Sequence, residues 1–367
     1  MSMSRNKLIG LVAVVLAVGI IGGVYAWRQA QPAPVEPEPP AVPSVVKGYL
    51  GGEKISLFED QAFQDLASQS GLDIQYKKAG SLAMMDADLT GMDYLFPSSR
   101  AAVDYGASKG VTSGDKDIVF NSPIVIYTYR DVADSLVASG LMSKDGEVYS
   151  LDVSQAVTAM AQDKTWADVG WARGYGQFRI DSTDPTQSNS GNEWAALVAT
   201  VLNGGQPATV DSINRDKDAI LDIFSKSGWM ETSSEDSFEQ FLTLGEGSKP
   251  MMVGYESQIL DLAVNKPDLY AQAKDDVVIV YPTPTVWSTH VVMPLDEAGV
   301  RLRDFLKSED VQKLAWERHG FRTASYAAAS STDQFGVPGV TGQVGAAVEL
   351  PSTDAMSRLI ELLANKQ

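Results

Sequence analysis

The 367-residue sequence contains no cysteine. Disulfides, thiolate metal sites, cysteine nucleophiles and a lipidated N-terminal cysteine are excluded, so any attachment to a membrane has to come from apolar chain. Basic residues are few beside acidic ones, 29 against 47, for a formal charge of -18. Nucleic acid and anionic membrane surfaces need clustered Lys and Arg, which removes both as partners but leaves room for a small anion in a local pocket. Only two histidines occur, His290 and His319. They are too far apart for a local metal pair and neither stands at a recognised ligand spacing from an acidic residue, so neither metal nor cofactor is expected. His319 beside Gly320 reads instead as a helix C-terminal cation favoured by the dipole. There is no phosphate-binding P-loop and no dinucleotide fingerprint. Paired carboxylates such as Glu235-Asp236 and Asp275-Asp276 lie in charged, loop-like stretches and read as solvated caps. One enzyme motif appears literally, G-x-S-x-G at Gly106-Ala107-Ser108-Lys109-Gly110. It follows an Arg100–Tyr105 helix, whereas a nucleophile elbow needs a strand before it. A hydrolase using Ser108 is the enzymatic alternative, decided by labelling with an active-serine probe.

What is present begins with an apolar run. Leu8 to Trp27 is a stretch of twenty uncharged residues, enough helix to cross a hydrocarbon core about 30 Å thick. Arg5 and Lys7 precede it, and the positive-inside bias then puts the N-terminus in the cytoplasm and the bulk of the chain outside. The rival is a cleaved signal peptide, for which Val24 and Ala26 offer a small-residue site. Gln31 to Pro43 carries six prolines with Glu36 and Glu38, a composition that holds the chain extended as a stalk. Residues 1–30 therefore read as an anchor in the inner or cytoplasmic membrane and 31–44 as a linker.

Beyond the linker, strand-length apolar runs alternate with helix-length amphipathic segments, the pattern of an α/β architecture with a largely parallel sheet. Strands are expected at Leu72–Tyr76, Asp93–Phe96, Ile118–Tyr129, Gln177–Ile180, Met251–Gly254, Val277–Tyr281 and Trp287–Met293. After Ser190, the residues Trp194, Leu197, Val198, Val201 and Leu202 recur at helical spacing, and Gly204-Gly205 supplies the stop. A second helix starts from Ser308 and runs through Val311, Leu314 and Ala315. The two long apolar segments, Ile118 to Tyr129 and Val277 to Met293, bracket a middle region and predict two crossings between lobes. Residues 327–351 read as an irregular surface segment before a last helix at Ser352–Asn365.

Three places put Ser or Thr with Gly or Pro where a strand gives way to a helix: Gly80-Ser81, Pro97-Ser98-Ser99-Arg100, and Asp184 to Gly191, which contains Ser188-Asn189-Ser190-Gly191. A helix start leaves free N–H groups and a partial positive end, so a hydroxyl beside it completes a donor ring for an anion. The same residues also make good N-caps. All three stand at carboxyl ends of strands, where open α/β sheets bind ligands. Arg100 is either a bidentate partner for an oxyanion or a solvated helix residue.

On these residues the chain resembles the type II periplasmic solute-binding proteins of ABC transporters. Asp184 to Trp194 resembles the D-P-[ST]-x-S-x-[ST]-G segment that opens a ligand-facing helix in the molybdate, sulfate, iron and phosphonate binders. Lys78-Ala79-Gly80-Ser81 resembles the first-lobe turn that donates to ligand, and Phe120-Asn121-Ser122-Pro123-Ile124-Val125 the first hinge strand. Met252-Val253-Gly254-Tyr255-Glu256-Ser257 resembles the turn on the second lobe's side of the cleft. Val311 to Ala315 with His319-Gly320-Phe321-Arg322 resembles the late helix and G-[FY]-R turn. The resemblance implies a two-lobed α/β fold with a hinge of two crossover strands, preceded by the transmembrane helix: lobe one at 45–125 and 288–367, lobe two at 126–287. It implies capture of a small ligand, an oxyanion or compact organic acid, for an ABC importer permease, with no bond made or broken. The ligand set would be Gly80, Ser81, Ser98, Ser99, Arg100, Ser122, Ser188, Asn189, Ser190, Gly191, Tyr255 and Ser257; Tyr255 is alternatively a core tyrosine. The paired tyrosines of the iron binders and the Ser-Gly-Thr-Thr run of the phosphate binders are absent. A ligand-sensing or scaffolding subunit is the alternative, told apart by whether the cleft is polar and concave.

Overall fold

A computed structural model describes residues 43–228, 230–323 and 331–365. The expected anchor at 1–30 and nearly all of the linker lie outside those residues. Among the described residues no helix is long and apolar enough to cross a membrane.

Among the described residues nine strands form one sheet, eight of them in a single path. The order β2-β1-β3-β9-β4-β8-β6-β5 is built from β1 (Ser44–Leu50), β2 (Leu72–Lys78), β3 (Tyr94–Phe96), β4 (Asp117–Tyr129), β5 (Met142–Asp145), β6 (Val148–Asp152), β8 (Val277–Thr283) and β9 (Trp287–Pro294); β7 (Met251–Tyr255) pairs with β4 off this path. β1 is parallel to both β2 and β3. β4 is where the two halves join. Its Asp117–Pro123 half pairs antiparallel with β9, and its Ile124–Tyr129 half pairs antiparallel with β7 and β8. The predicted first crossing is therefore a single strand, while the predicted Val277–Met293 run is divided into β8 and β9.

Side-chain alternation explains why the β4–β7–β8 sheet is buried on both faces. Ile124 and Ile126 join Met251, Val253, Val278 and Val280 in one core, whereas Val125 and Tyr127 join Met252, Ile279 and Tyr281 in another. A separate core around Val46, Leu50, Phe96, Phe120 and Phe305 fills the first lobe. The helices that bear on the site are α1 (Arg100–Ser108), α2 (Asn189–Leu202), α3 (Ser234–Leu244), α4 (Glu256–Asn265), α5 (Glu309–His319) and α6 (Thr353–Ala364). Ser108 sits at the end of α1, where its hydroxyl donates to the Tyr105 carbonyl at 2.6 Å.

Two expectations need correction. Gln177–Ile180 is not a strand; Phe178 and Ile180 are buried by side-chain packing, and the backbone meets β7 through Asp181 opposite Met252. The apolar face of α6, Ala355, Met356, Leu359, Leu362 and Leu363, packs into the core that holds Trp194 and Leu197, and only Ile360 reaches the first-lobe cluster of Ala102, Val103 and Met293. The chain reaches that core because residues 346–348 run beside the β8–β9 connection, with Thr285 N–H donating to Ala346 at 2.9 Å and Val348 N–H to Thr285 at 2.9 Å. His319 ends α5 as expected, and it is buried, its Nδ1 2.6 Å from Asp261 and its Nε2 3.1 Å from Asp60.

Candidate functional site

The strand-to-helix turns of the two lobes face one another across a polar cavity of about 240 Å³. Its walls come from Gly52 and Glu53 after β1, Gly80 and Ser81 after β2, Ser188 and Asn189 at the start of α2, Ser233 at the start of α3, and Tyr255 at the end of β7. The lobes touch here. Lys78 Nζ lies 2.7 and 2.9 Å from the two carboxylate oxygens of Asp236. A side chain at position 80 would meet the Gln187 carbonyl, 2.2 Å from where its Cβ would stand, so glycine there permits the approach.

Local chemistry decides which hydroxyls remain available at α2. The first N–H groups of an α-helix have no intrahelical acceptor. Thr183 takes over the cap: its Oγ1 accepts from Gly191 N–H at 2.8 Å and lies 2.7 Å from the Ser190 hydroxyl. Ser188, the N-cap residue, makes no side-chain cap bond and lines the cavity. Gly191 is required for close packing, since a Cβ there would stand 2.1 Å from the Thr183 carbonyl. Asp184 shapes the turn before the helix by accepting from Thr186 N–H at 2.8 Å. At the start of α3 the Ser233 hydroxyl is likewise uncapped, buried and without a protein partner among the described residues.

Of the twelve residues expected at the site, Gly80, Ser81, Ser188, Asn189 and Tyr255 line the cavity. Ser98 stands just behind it, its backbone N–H donating to Ser81 Oγ at 2.9 Å. The others do not reach it. Ser99 is the N-cap of α1, accepting from Ala102 N–H at 3.1 Å. Ser190 and Gly191 are engaged by Thr183, and the Ser122 Oγ accepts from Ser257 N–H at 3.2 Å in the hinge. Arg100 is exposed on the first turn of α1. Glu256 is turned away and accepts from Arg322 at 2.6 and 2.9 Å.

Behind the cavity lies a buried polar cluster that the sequence reading missed. Lys54 is fully buried; it donates to Glu53, to Ser98 Oγ at 2.8 Å and to His290 Nδ1 at 3.2 Å. Burial alone would raise the Glu53 carboxyl, but Lys54 and His290 together outweigh it and hold the group well below the usual carboxylate range. Burial, reinforced by Lys54, pushes the His290 imidazole down to about 4. It is neutral at pH 7, and because an ammonium only donates, Nδ1 is the acceptor and Nε2 carries the proton. Nε2 has no partner among the described residues. Asn189 Nδ2 lies 3.1 Å from Tyr255 Oη, 3.1 Å from Ser288 Oγ and 3.2 Å from the Ser98 carbonyl. Glu193, one turn further along α2, is fully buried and burial pushes its carboxyl up to about 8. Neither of its oxygens completes a hydrogen bond, although Asn189 and Ser288 stand beside it. One signal in the sequence pointed here, Gly51-Gly52 directly after an apolar strand. Among the described residues there is no group of three or more His, Asp or Glu side chains placed to hold a metal.

Residues 58–322 match the model of the bacterial extracellular solute-binding protein family. The chain belongs to that family. Solved structures of similar fold include the substrate-binding protein of an ABC transporter from Agrobacterium tumefaciens, with 13% identity, 89% of this chain and 96% of that one covered, and a TM-score of 0.58. The sulfate-binding protein SubI from Mycobacterium tuberculosis matches at 17% identity over 80% and 92% of the two chains, TM-score 0.51. Iron-bound HitA from Pseudomonas aeruginosa matches at 13% identity over 88% and 99%, TM-score 0.53. At these identities the likeness is one of fold. No curated protein sequence is similar enough to match. Members of this family bind solutes between two α/β lobes, the arrangement in which the cavity lies.

Proposed function

We propose that this solute-binding protein captures a small anionic ligand in the cavity between Gly80-Ser81 and the starts of α2 and α3, and passes it to an ABC importer. The observation that carries the reading is the pair of helix starts facing one cavity, with the Ser188 and Ser233 hydroxyls free of cap bonds. Helix N-termini and hydroxyls favour negative charge and replace the water that a small anion gives up. Closure of the lobes about β4 and β9 would bring these groups onto the ligand from both sides. Leu8 to Trp27, with Arg5 and Lys7 before it, would keep the protein on the outer face of the cytoplasmic membrane.

Isothermal calorimetry against inorganic and organic anions tests the ligand assignment. A hydrogen bond to a charged group is worth about 1.5–3 kcal/mol, so Ser188→Ala and Ser233→Ala should each weaken binding roughly tenfold or more. Binding of cations alone, or variants indistinguishable from wild type, would overturn it. Carbonate extraction, with sequencing of the mature N-terminus, tests the tether separately.

A further inference from the structure

The cavity contains an acid that a plain anion would not want. Glu53 lines it with its side chain only 5% exposed. One carboxylate oxygen, Oε1, is engaged by Ser98 and Lys54. No hydrogen bond to Oε2 exists among the described residues, and that oxygen is not among the buried atoms left without partners. Lys54 lies behind Glu53 and is not part of the wall. The other two charges on the wall, Lys78 and Asp236, already pair with each other. The cavity wall therefore carries both kinds of group, helix starts with free hydroxyls and an ionised carboxylate. A bare oxyanion such as sulfate offers only acceptors and would meet a second acceptor of like charge. The space also exceeds a single tetrahedral head: about 240 Å³ is roughly eight times the ~30 Å³ share of one liquid water.

We propose that the ligand is a compact zwitterion, with its acid group on the starts of α2 and α3 and its ammonium on Glu53. This rests on the anion-binding reading above and adds the second half of the ligand. An ammonium supplies the donors that an ionised carboxylate lacks, and a ligand of no net charge would enter a strongly acidic protein without a long-range electrostatic penalty.

The test is calorimetry on the full-length protein with three matched pairs: 2-aminoethylphosphonate against ethylphosphonate, taurine against ethanesulfonate, and β-alanine against propionate. At least one amine-bearing member should bind tenfold or more tighter than its deaminated partner. Glu53→Gln alone would leave Lys54 as a buried unpaired cation and could unfold the lobe. The deciding variant is therefore Glu53→Gln/Lys54→Met, which removes both charges at similar volume and should abolish the amine preference while the circular dichroism spectrum stays unchanged. Equal affinities within every pair would overturn the zwitterion and leave anion capture standing. A preference that survives in the double variant would overturn the role of Glu53, and binding by none of the six compounds would overturn both readings.

Discussion

The Glu256–Arg322 and Glu53–Lys54 pairs are both buried carboxylate–cation contacts, and they differ in what surrounds them. Arg322 grips Glu256 with two nitrogens, gives another hydrogen bond to the Gly342 carbonyl at 3.4 Å, and lies 5.8 Å from the ring centres of both Trp287 and Trp316. Tyr281 adds its hydroxyl to Glu256 at 2.5 Å. The charged atoms of both side chains are all used, although Trp316 Nε1 beside them has no partner among the described residues, and the knot ties the 341–342 segment and α4 to the hinge strand β4, because Arg322 also exchanges backbone hydrogen bonds with Asn121 at 2.7 and 2.9 Å. The Glu53–Lys54 cluster has groups left over, with His290 Nε2 and both Glu193 oxygens lacking partners among the described residues. A closed network fixes a conformation, and an open one at a cavity wall has capacity for something that is not protein.

The largest effect should come from breaking the closed pair. Arg322→Ala leaves Glu256 as an uncompensated buried charge and should cost about 3–5 kcal/mol of stability, seen as a lower denaturation midpoint in urea. A smaller effect should come from Glu193 and depend on pH. Its folded carboxyl stands at about 8 against an ordinary 4.5, so between those values the native state holds a proton that the unfolded chain has released. Stability contributed by the protonated group is full below the ordinary value and is lost as pH rises through about 8. In wild type the slope of that loss should approach about 1.4 kcal/mol per pH unit, and Glu193→Gln should flatten it in thermal melts taken from pH 5 to 9. A wild type equally stable across that range would remove Glu193 from the buried, protonated state.

Ser190→Ala sharpens the contrast between neighbours on α2. It removes the contact with Thr183 and should cost about 1 kcal/mol of stability while leaving ligand affinity within twofold, the reverse of Ser188→Ala. The smallest effect belongs to Arg100→Ala, expected within about 0.5 kcal/mol in stability and without change in ligand affinity. A tenfold loss of affinity in Arg100→Ala would move the site toward α1.

The contrast also marks what sequence carries and what it does not. The turn before α2, the stop at Gly204-Gly205 and the long hinge strand were readable because each is set by residues within a few positions of one another. Local chemistry also identified Ser188 and Ser190 as a pair, but which of them is available depends on Thr183, whose hydroxyl comes back to the helix start only in the folded turn. Lys54 is harder still. Glu and Lys after two glycines look like a solvated loop, and nothing local says that Ser98, from the turn after β3, and His290, from β9, will close over them. Arg100 failed for the converse reason: it stands at the right turn, one position too far along the helix to face inward. The docking of α6 was illegible because its apolar stripe fits any complementary groove, and the choice of groove is made by the path of residues 346–348 beside Thr285.

β4 belongs to both halves of the sheet, and this has a consequence for biogenesis. Its Tyr127 finds a hydroxyl acceptor at Tyr255, 128 residues later in the chain. At about 5–20 residues per second of synthesis, that partner emerges roughly 6 to 26 s after the strand itself. For all of that time Ile124 to Thr128, an apolar stretch of high β-propensity, has no native neighbour on this side, and such an edge is a template for pairing with other chains. A chain with this topology depends on being held unpaired until β7 and β8 have arrived, and a truncated form ending between 130 and 250 would carry the same sticky edge permanently.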